Sequence, residues 1–145
     1  MSSMEDWERQ YGEVLQRGDA DPKSAQNKLD LGERNVVRAR RDLDAGDPDS
    51  ALVHAENAMV NAADAVLARD GYRLRGKTGS HQARFDYPRL PPEFARFKTE
   101  LLMARRMRSQ AIYDIFGLVS GEQANAATDA AEKLLIAVRS LVARR

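Results

Sequence analysis

The chain has 145 residues, 43% of them hydrophobic, with 23 basic and 22 acidic residues and a formal net charge of +1, a size and composition that suit one globular domain. The absence of cysteine and the presence of only two histidines, His54 and His81, exclude disulfides, thiolate metal sites and a histidine-rich metal centre, and no metal or other cofactor is expected. No apolar run reaches membrane-spanning length, and the first residues, Met1 to Asp6, lack the basic-then-apolar order of a signal peptide, so a cytoplasmic protein without membrane association is expected.

Alanine, leucine, arginine and glutamate dominate, which favours helix. A short N-terminal helix is predicted around Met4 to Gln16, ending near Gly18. The second helix starts at Asp21-Pro22, a side-chain cap followed by proline in the first turn, and runs through Leu29, Val36, Val37 and Leu43 to a stop at Gly46. The third repeats the device at Asp47-Pro48. It carries Leu52, Ala55, Met59, Ala62 and Val66 on one face and stops at Gly71. Its alanines would let a partner helix approach closely.

Residues 71–90 break the pattern. Gly71, Gly76, Gly79 and Pro88 read as a long connection, of a length more often functional than not inside a small domain. Five basic residues, Arg73, Arg75, Lys77, Arg84 and Arg89, stand there against Asp86 alone, a local charge of +4, while the remaining 18 basic and 21 acidic residues give −3. With Tyr72, Phe85 and Tyr87 interleaved, this segment has the make-up of a single-stranded RNA contact, cations for phosphate and rings for stacking. An ordinary solvated loop would have the same composition.

A fourth helix is predicted from Pro91-Pro92-Glu93 to Phe116, with Gly117 as its stop. The fifth opens on Ser120 and Gln123, the spacing of a capping box, with Ala127, Ala131, Leu134, Val138 and Leu141 as its stripe. Short connections between most helices favour antiparallel neighbours. The expected fold is therefore all-α, an up-and-down bundle of four main helices plus the short N-terminal one. Residues 1–20 form that helix and its linker, and residues 21–145 the bundle domain.

The fourth helix holds the most telling residue. Heptad steps give Phe94, Leu101, Arg108 and Ile115, flanked by Phe97, Ala104 and Ala111, so a permanent cation falls on the apolar stripe. Burying an unpaired charge is costly. Arg108 therefore needs a carboxylate from a neighbouring helix, with Asp64 and Glu56 as candidates, or a cleft holding an anion. Arg105, about 60° around the helix, can share such a cleft, whereas Arg106 reads as a solvated surface charge. Tyr113 is about 140° from Arg108, so the two can grip one small group only if the helix deforms or two copies cooperate. His54 reads as a satisfied, half-buried residue. His81, in the long connection, is either a backbone-bonded loop residue or an acid–base group.

Leu43-Asp44-Ala45-Gly46-Asp47-Pro48-Asp49-Ser50-Ala51-Leu52, followed by Ala55-Glu56-Asn57-Ala58 and Ala62-Ala63-Asp64-Ala65, resembles the HEPN superfamily (higher eukaryotes and prokaryotes nucleotide-binding). In that family two long helices meet at a small-Gly-Asp turn. Gly79-Ser80-His81 matches a Gly-x-His element of related members, and the resemblance covers roughly residues 25–143. Catalytic members carry an arginine, four to six residues and a histidine, and two such motifs meet across a homodimer as a metal-independent RNA-cleaving site. Arg108 matches the arginine, and Ser109 the polar residue after it. Tyr113 stands where the histidine is expected, followed by Asp114, as in a branch with Arg-x4-Tyr. Tyrosine is a poor proton acceptor near neutral pH.

The resemblance implies a homodimer, and with the arginine stripe it points to RNA or nucleotide binding through Arg105, Arg108, Ser109 and Tyr113, while the composition of the connection adds Arg73, Arg75, Lys77 and Arg84 as candidate loop contacts. It also implies a place in a toxin–antitoxin or defence system. Two alternatives stay open. One is an interaction module that pairs with a nucleotidyltransferase and uses Arg108 as a structural ion pair. The other is a divergent metal-independent endoribonuclease that uses Arg108 with Tyr113 or His81.

Overall fold

The computed structural model describes residues 3–112 and 118–143, and their side chains except those of residues 110–112. The expectations placed on Tyr113, Asp114, Ile115, Phe116 and Gly117, and on the Ala111 side chain, lie outside the described residues. The order is α1 (Met4–Gln10), β1 (Leu15–Arg17), α2 (Pro22–Asp44), α3 (Pro48–Arg69), β2 (Tyr72–Leu74), α4 (Ser80–Phe85), α5 (Glu93–Arg96), α6 (Lys98–Ile112) and α7 (Gly121–Ala143). The fold is all-α in character, a helical bundle with one two-stranded ribbon.

The caps read from the sequence set the long helices. Asp21 and Asp47 each accept a hydrogen bond from the backbone N–H three residues on, at 3.0 Å from Ser24 and 3.2 Å from Ser50, and each is followed by proline. Gly46 turns the chain between α2 and α3 with φ +75°. At the start of α7, Ser120 and Gln123 exchange two bonds of 3.0 Å, which satisfies donors that a helix N-terminus leaves free.

α3 is the axis of the bundle and packs against α2, α6 and α7. Its buried residues face nearly every direction, from Ala51 and Leu52 to Leu67 and Ala68, as a helix enclosed by neighbours requires. The alanines allow the close approach. Asn35 on α2 donates to Asn61 on α3 at 2.9 Å in this interior, so the two buried amides partner each other. Ion pairs tie α2 to α7 at the surface, Arg40 to Asp129 at 2.7 Å and Arg139 to Glu33 at 2.6 Å.

Three expectations need correction. The N-terminal helix ends at Gln10 instead of Gln16, and the chain then enters β1. The connection 71–90 is not irregular throughout, because it contains β2 and α4. β1 and β2 pair antiparallel, Leu15 opposite Leu74, Gln16 opposite Arg73 and Arg17 opposite Tyr72. Strands of three residues are too short to show a period against helical surroundings. The turn into β2 uses Gly71, at φ +91°, where an added Cβ would stand 2.5 Å from the Gly18 carbonyl oxygen. Finally, the fourth helix is interrupted. Phe97 leaves helical geometry at φ −100° and ψ 21°, separating α5 from α6.

The first residues pack into the same core. Trp7 is buried, and its indole N–H donates to the Ala83 carbonyl of α4 at 2.8 Å. The rings of Tyr72 and Tyr87 meet it edge-on at 5.1 and 4.8 Å, and Tyr11 lies 6.5 Å away. This cluster fastens α1, the ribbon and α4 to one another.

Candidate functional site

Arg108 reaches across from α6 to α3, where its guanidinium donates to the Glu56 carboxylate and to the Asn57 side-chain oxygen. The Glu56 side chain is 2% exposed and that of Arg108 is 32% exposed. The carboxylate is thus enclosed, whereas the guanidinium still meets solvent. Glu56 was one of the two partners weighed for Arg108; the other, Asp64, is held by Arg84 at 2.7 Å. Pairing and access are compatible here, because both contacts use one terminal nitrogen and a guanidinium offers donors on three.

The open side of Arg108 belongs to a cleft of about 480 Å³ lined by Glu56, His81, Leu102, Arg105, Arg106, Arg108 and Ser109. Leu102, Arg105, Arg106 and Ser109 fall at helical spacings of three, four and seven, so one stripe of α6 forms this wall. Arg105 also lies over the Phe85 ring, 5.4 Å from its centre, which restricts it without neutralising it. Three arginines and one carboxylate therefore line the cleft. Such a site attracts anions and can take a phosphate group through paired N–H donors.

His81 closes the cleft from α4. Its Nδ1 lies 3.0 Å from Nη1 of Arg84, whose Nε donates to Asp64 on α3 at 2.7 Å. Desolvation, and then the Arg84 charge, push the imidazole below its ordinary pKa, with Arg105 and Arg108 acting in the same direction and Glu56 against it.

The connection 71–90 distributes its expected contacts differently. Arg73 pairs with Asp21 at 3.2 Å on the surface, Arg75 donates to the Leu15 carbonyl at 3.0 Å, and Lys77 is exposed. Arg84 is committed to Asp64 and His81. Tyr72 and Tyr87 are buried in the Trp7 cluster and Phe85 packs 6.4 Å from Phe94, so these rings are not laid out as a stacking platform. Tyr87 donates to Asp70 at 2.5 Å and Tyr11 donates to Asp86. His54 is satisfied by Asp42 at 2.7 Å.

The structure brings together Arg105, Arg108, Ser109 and His81, while Tyr113 lies outside the described residues. Arg106 is exposed, as expected, but it also lines the cleft, and Asn57 was overlooked. The spacing of Leu102, Arg105, Arg106 and Ser109 was the available signal for Arg106. Among the described residues no group of His, Asp and Glu stands close enough to hold a metal ion, and no helix is long and apolar enough to cross a membrane.

Compared with known families, the chain matches the model described as HEPN domain over residues 25–141. No curated protein and no solved structure matches it.

Proposed function

The chain belongs to the HEPN domain family, and from that premise we propose that its α6 cleft binds the phosphate backbone of RNA, or a nucleotide, without cleaving it. The observation that carries this reading is an open cleft lined by three arginines, one of them, Arg108, anchored by the buried Glu56 carboxylate. Glu56 and Asn57 orient Arg108, Arg105 and Arg106 add charge, and Ser109 offers a hydroxyl. The residue where catalytic relatives place their proton-transferring histidine is Tyr113, which favours binding over cleavage.

In this reading the protein acts as a homodimer, as the family resemblance implies for a site shared between two copies. Its biological setting is a toxin–antitoxin or defence system. The second reading, a module that pairs with a nucleotidyltransferase, draws on a groove between α2 and α7. There Val37 and Ile136 are exposed beside Val36 and Leu135.

The test is binding of a labelled single-stranded RNA with metal chelated throughout, read by fluorescence anisotropy and by gel. Binding without cleavage, weakened by salt and by Arg105→Ala or Arg106→Ala, is the expected result. Cleavage by the wild type would replace this reading with the ribonuclease. No binding by a correctly folded wild type would leave the pairing module.

A further inference from the structure

We infer that Asp64, Arg84 and His81 form a relay that holds His81 as a neutral imidazole protonated on Nε2, an uncharged hydrogen-bond donor to a phosphate in the arginine cleft. The inference rests on the proposed RNA-binding reading and assigns the histidine a part in it.

The chain of reasoning starts at Arg84. A guanidinium only donates hydrogen bonds and does not lose its charge in proteins. Nδ1 of His81, 3.0 Å from Arg84 Nη1, therefore accepts, and the ring proton belongs on Nε2. Arg84 is itself fixed, with Nε on Asp64 at 2.7 Å and only 11% of its side chain exposed. The tautomer follows from the chemistry of the partner, as ring protons generally must be assigned.

A second proton could go only on Nδ1. It would displace the Arg84 bond and set an imidazolium against a guanidinium that cannot move away. The charged groups that act on His81 from the packed elements are Glu56 on α3, Arg84 on α4, and Arg105 and Arg108 on α6, while Asp64 on α3 holds Arg84. Both carboxylates are already engaged, Asp64 by Arg84 and Glu56 by Arg108. The direction in which desolvation and the Arg84 charge shift the imidazole agrees with a neutral ring.

The consequence is a division of labour. The arginines supply charge, and His81 supplies a directional N–H that does not change with pH across the physiological range. With Nδ1 occupied by Arg84 and Nε2 already protonated, His81 has no free lone pair to take a proton from a ribose hydroxyl. It is thus a binding residue and not a general base.

The ring is read directly by the nitrogen chemical shifts of the 15N-labelled protein. The chain has two histidines, and His81→Ala identifies which signals belong to His81. The neutral, Nε2-protonated pattern is expected to persist at about pH 6.5, where an ordinary histidine is half protonated. A ring protonated on Nδ1, or one that titrates at the ordinary value, would overturn the inference.

Binding of fluorescein-labelled decauridylate supplies the second readout. Affinity is expected to stay flat as pH falls from about 8 to about 6.5, to fall about tenfold in His81→Ala, and to recover largely in His81→Gln, whose amide restores a donor. Affinity that rises on acidification and loses that rise in His81→Ala would overturn the inference. So would unchanged binding in His81→Ala, while leaving the RNA reading intact. Failure of the wild type to bind RNA while the ring pattern holds would overturn the RNA reading and the donor role, with the relay left standing.

Discussion

The Trp7 cluster and the α6 cleft draw on the same stretch of chain, yet they treat polar groups in opposite ways. In the cluster three polar tips have fixed partners: the Trp7 N–H on Ala83, Tyr87 on Asp70 and Tyr11 on Asp86. In the cleft the carboxylate is enclosed, while the guanidiniums of Arg105, Arg106 and Arg108 retain donors toward solvent. The cluster is thereby closed to ligands and the cleft is open to them. Aromatic and basic residues interleaved along residues 71–90 suggested one RNA-binding loop. Folding instead sends the rings inward and leaves anion attraction mainly to α6.

The sharpest way to break this contrast is to remove the centre of the cluster. Trp7→Ala should cost about 3–5 kcal/mol, the usual range for a buried large aromatic, measured by urea denaturation. A loss below about 1 kcal/mol would mean that α1 and the ribbon are peripheral to stability.

Arg108→Ala comes next. It strands the enclosed Glu56 carboxylate, and the expected loss is about 1–3 kcal/mol, moderated by the partial exposure of the guanidinium. Adding Glu56→Gln should return part of that loss, since an amide tolerates burial better than an unpaired charge. A double variant no more stable than Arg108→Ala would show that the pair is not what Arg108 contributes to stability.

The cluster also carries a pH signature. Burial first, then the Asp86 hydrogen bond and charge, raise Tyr11 from 10.0 to about 12. Tyr72 and Tyr87 are raised too, chiefly by burial, with Asp70 reinforcing the effect at Tyr87. These groups hold their protons more tightly when folded, so their contribution is fully present below about pH 10 and is lost as pH climbs through the raised values. Stability should therefore fall steeply between about pH 10 and 12, with a shallower slope in Tyr11→Phe. An unchanged slope in that variant would remove Tyr11 from the account.

The smallest expected effect on stability is at the cleft wall. Arg105→Ala should change folding stability by no more than about 1 kcal/mol. It should nevertheless weaken RNA binding severalfold and lower the logarithmic salt dependence by about one. Equal losses of stability and affinity would make Arg105 a structural residue.

The long helices and their boundaries were legible because their signals are local. Asp-Pro caps, Gly46 and the Ser120–Gln123 pair act within a single turn, and α2, α3 and α7 begin where those residues put them. Glu56 could be named as a partner for Arg108 because an arginine on an apolar stripe must be answered from an adjacent helix. The ribbon and α4 were not legible. Three-residue strands and a six-residue helix have too few positions to establish a period, and they exist through long-range contacts with Trp7, Val14 and Gly18. The relay from Asp64 through Arg84 to His81 was hidden for the same reason, because it depends on where α4 docks against α3.

The single tryptophan of the chain gives this arrangement an optical handle. Its indole N–H is bonded to the residue just before Arg84 and two after His81. The fluorophore is therefore bonded directly to the short helix that carries the histidine of the cleft. A displacement of α4 that stretches or breaks that bond would alter the polarity around the indole and shift its emission. Unlabelled protein can thus signal, by its own light, whether a ligand entering the cleft moves α4 or leaves it seated.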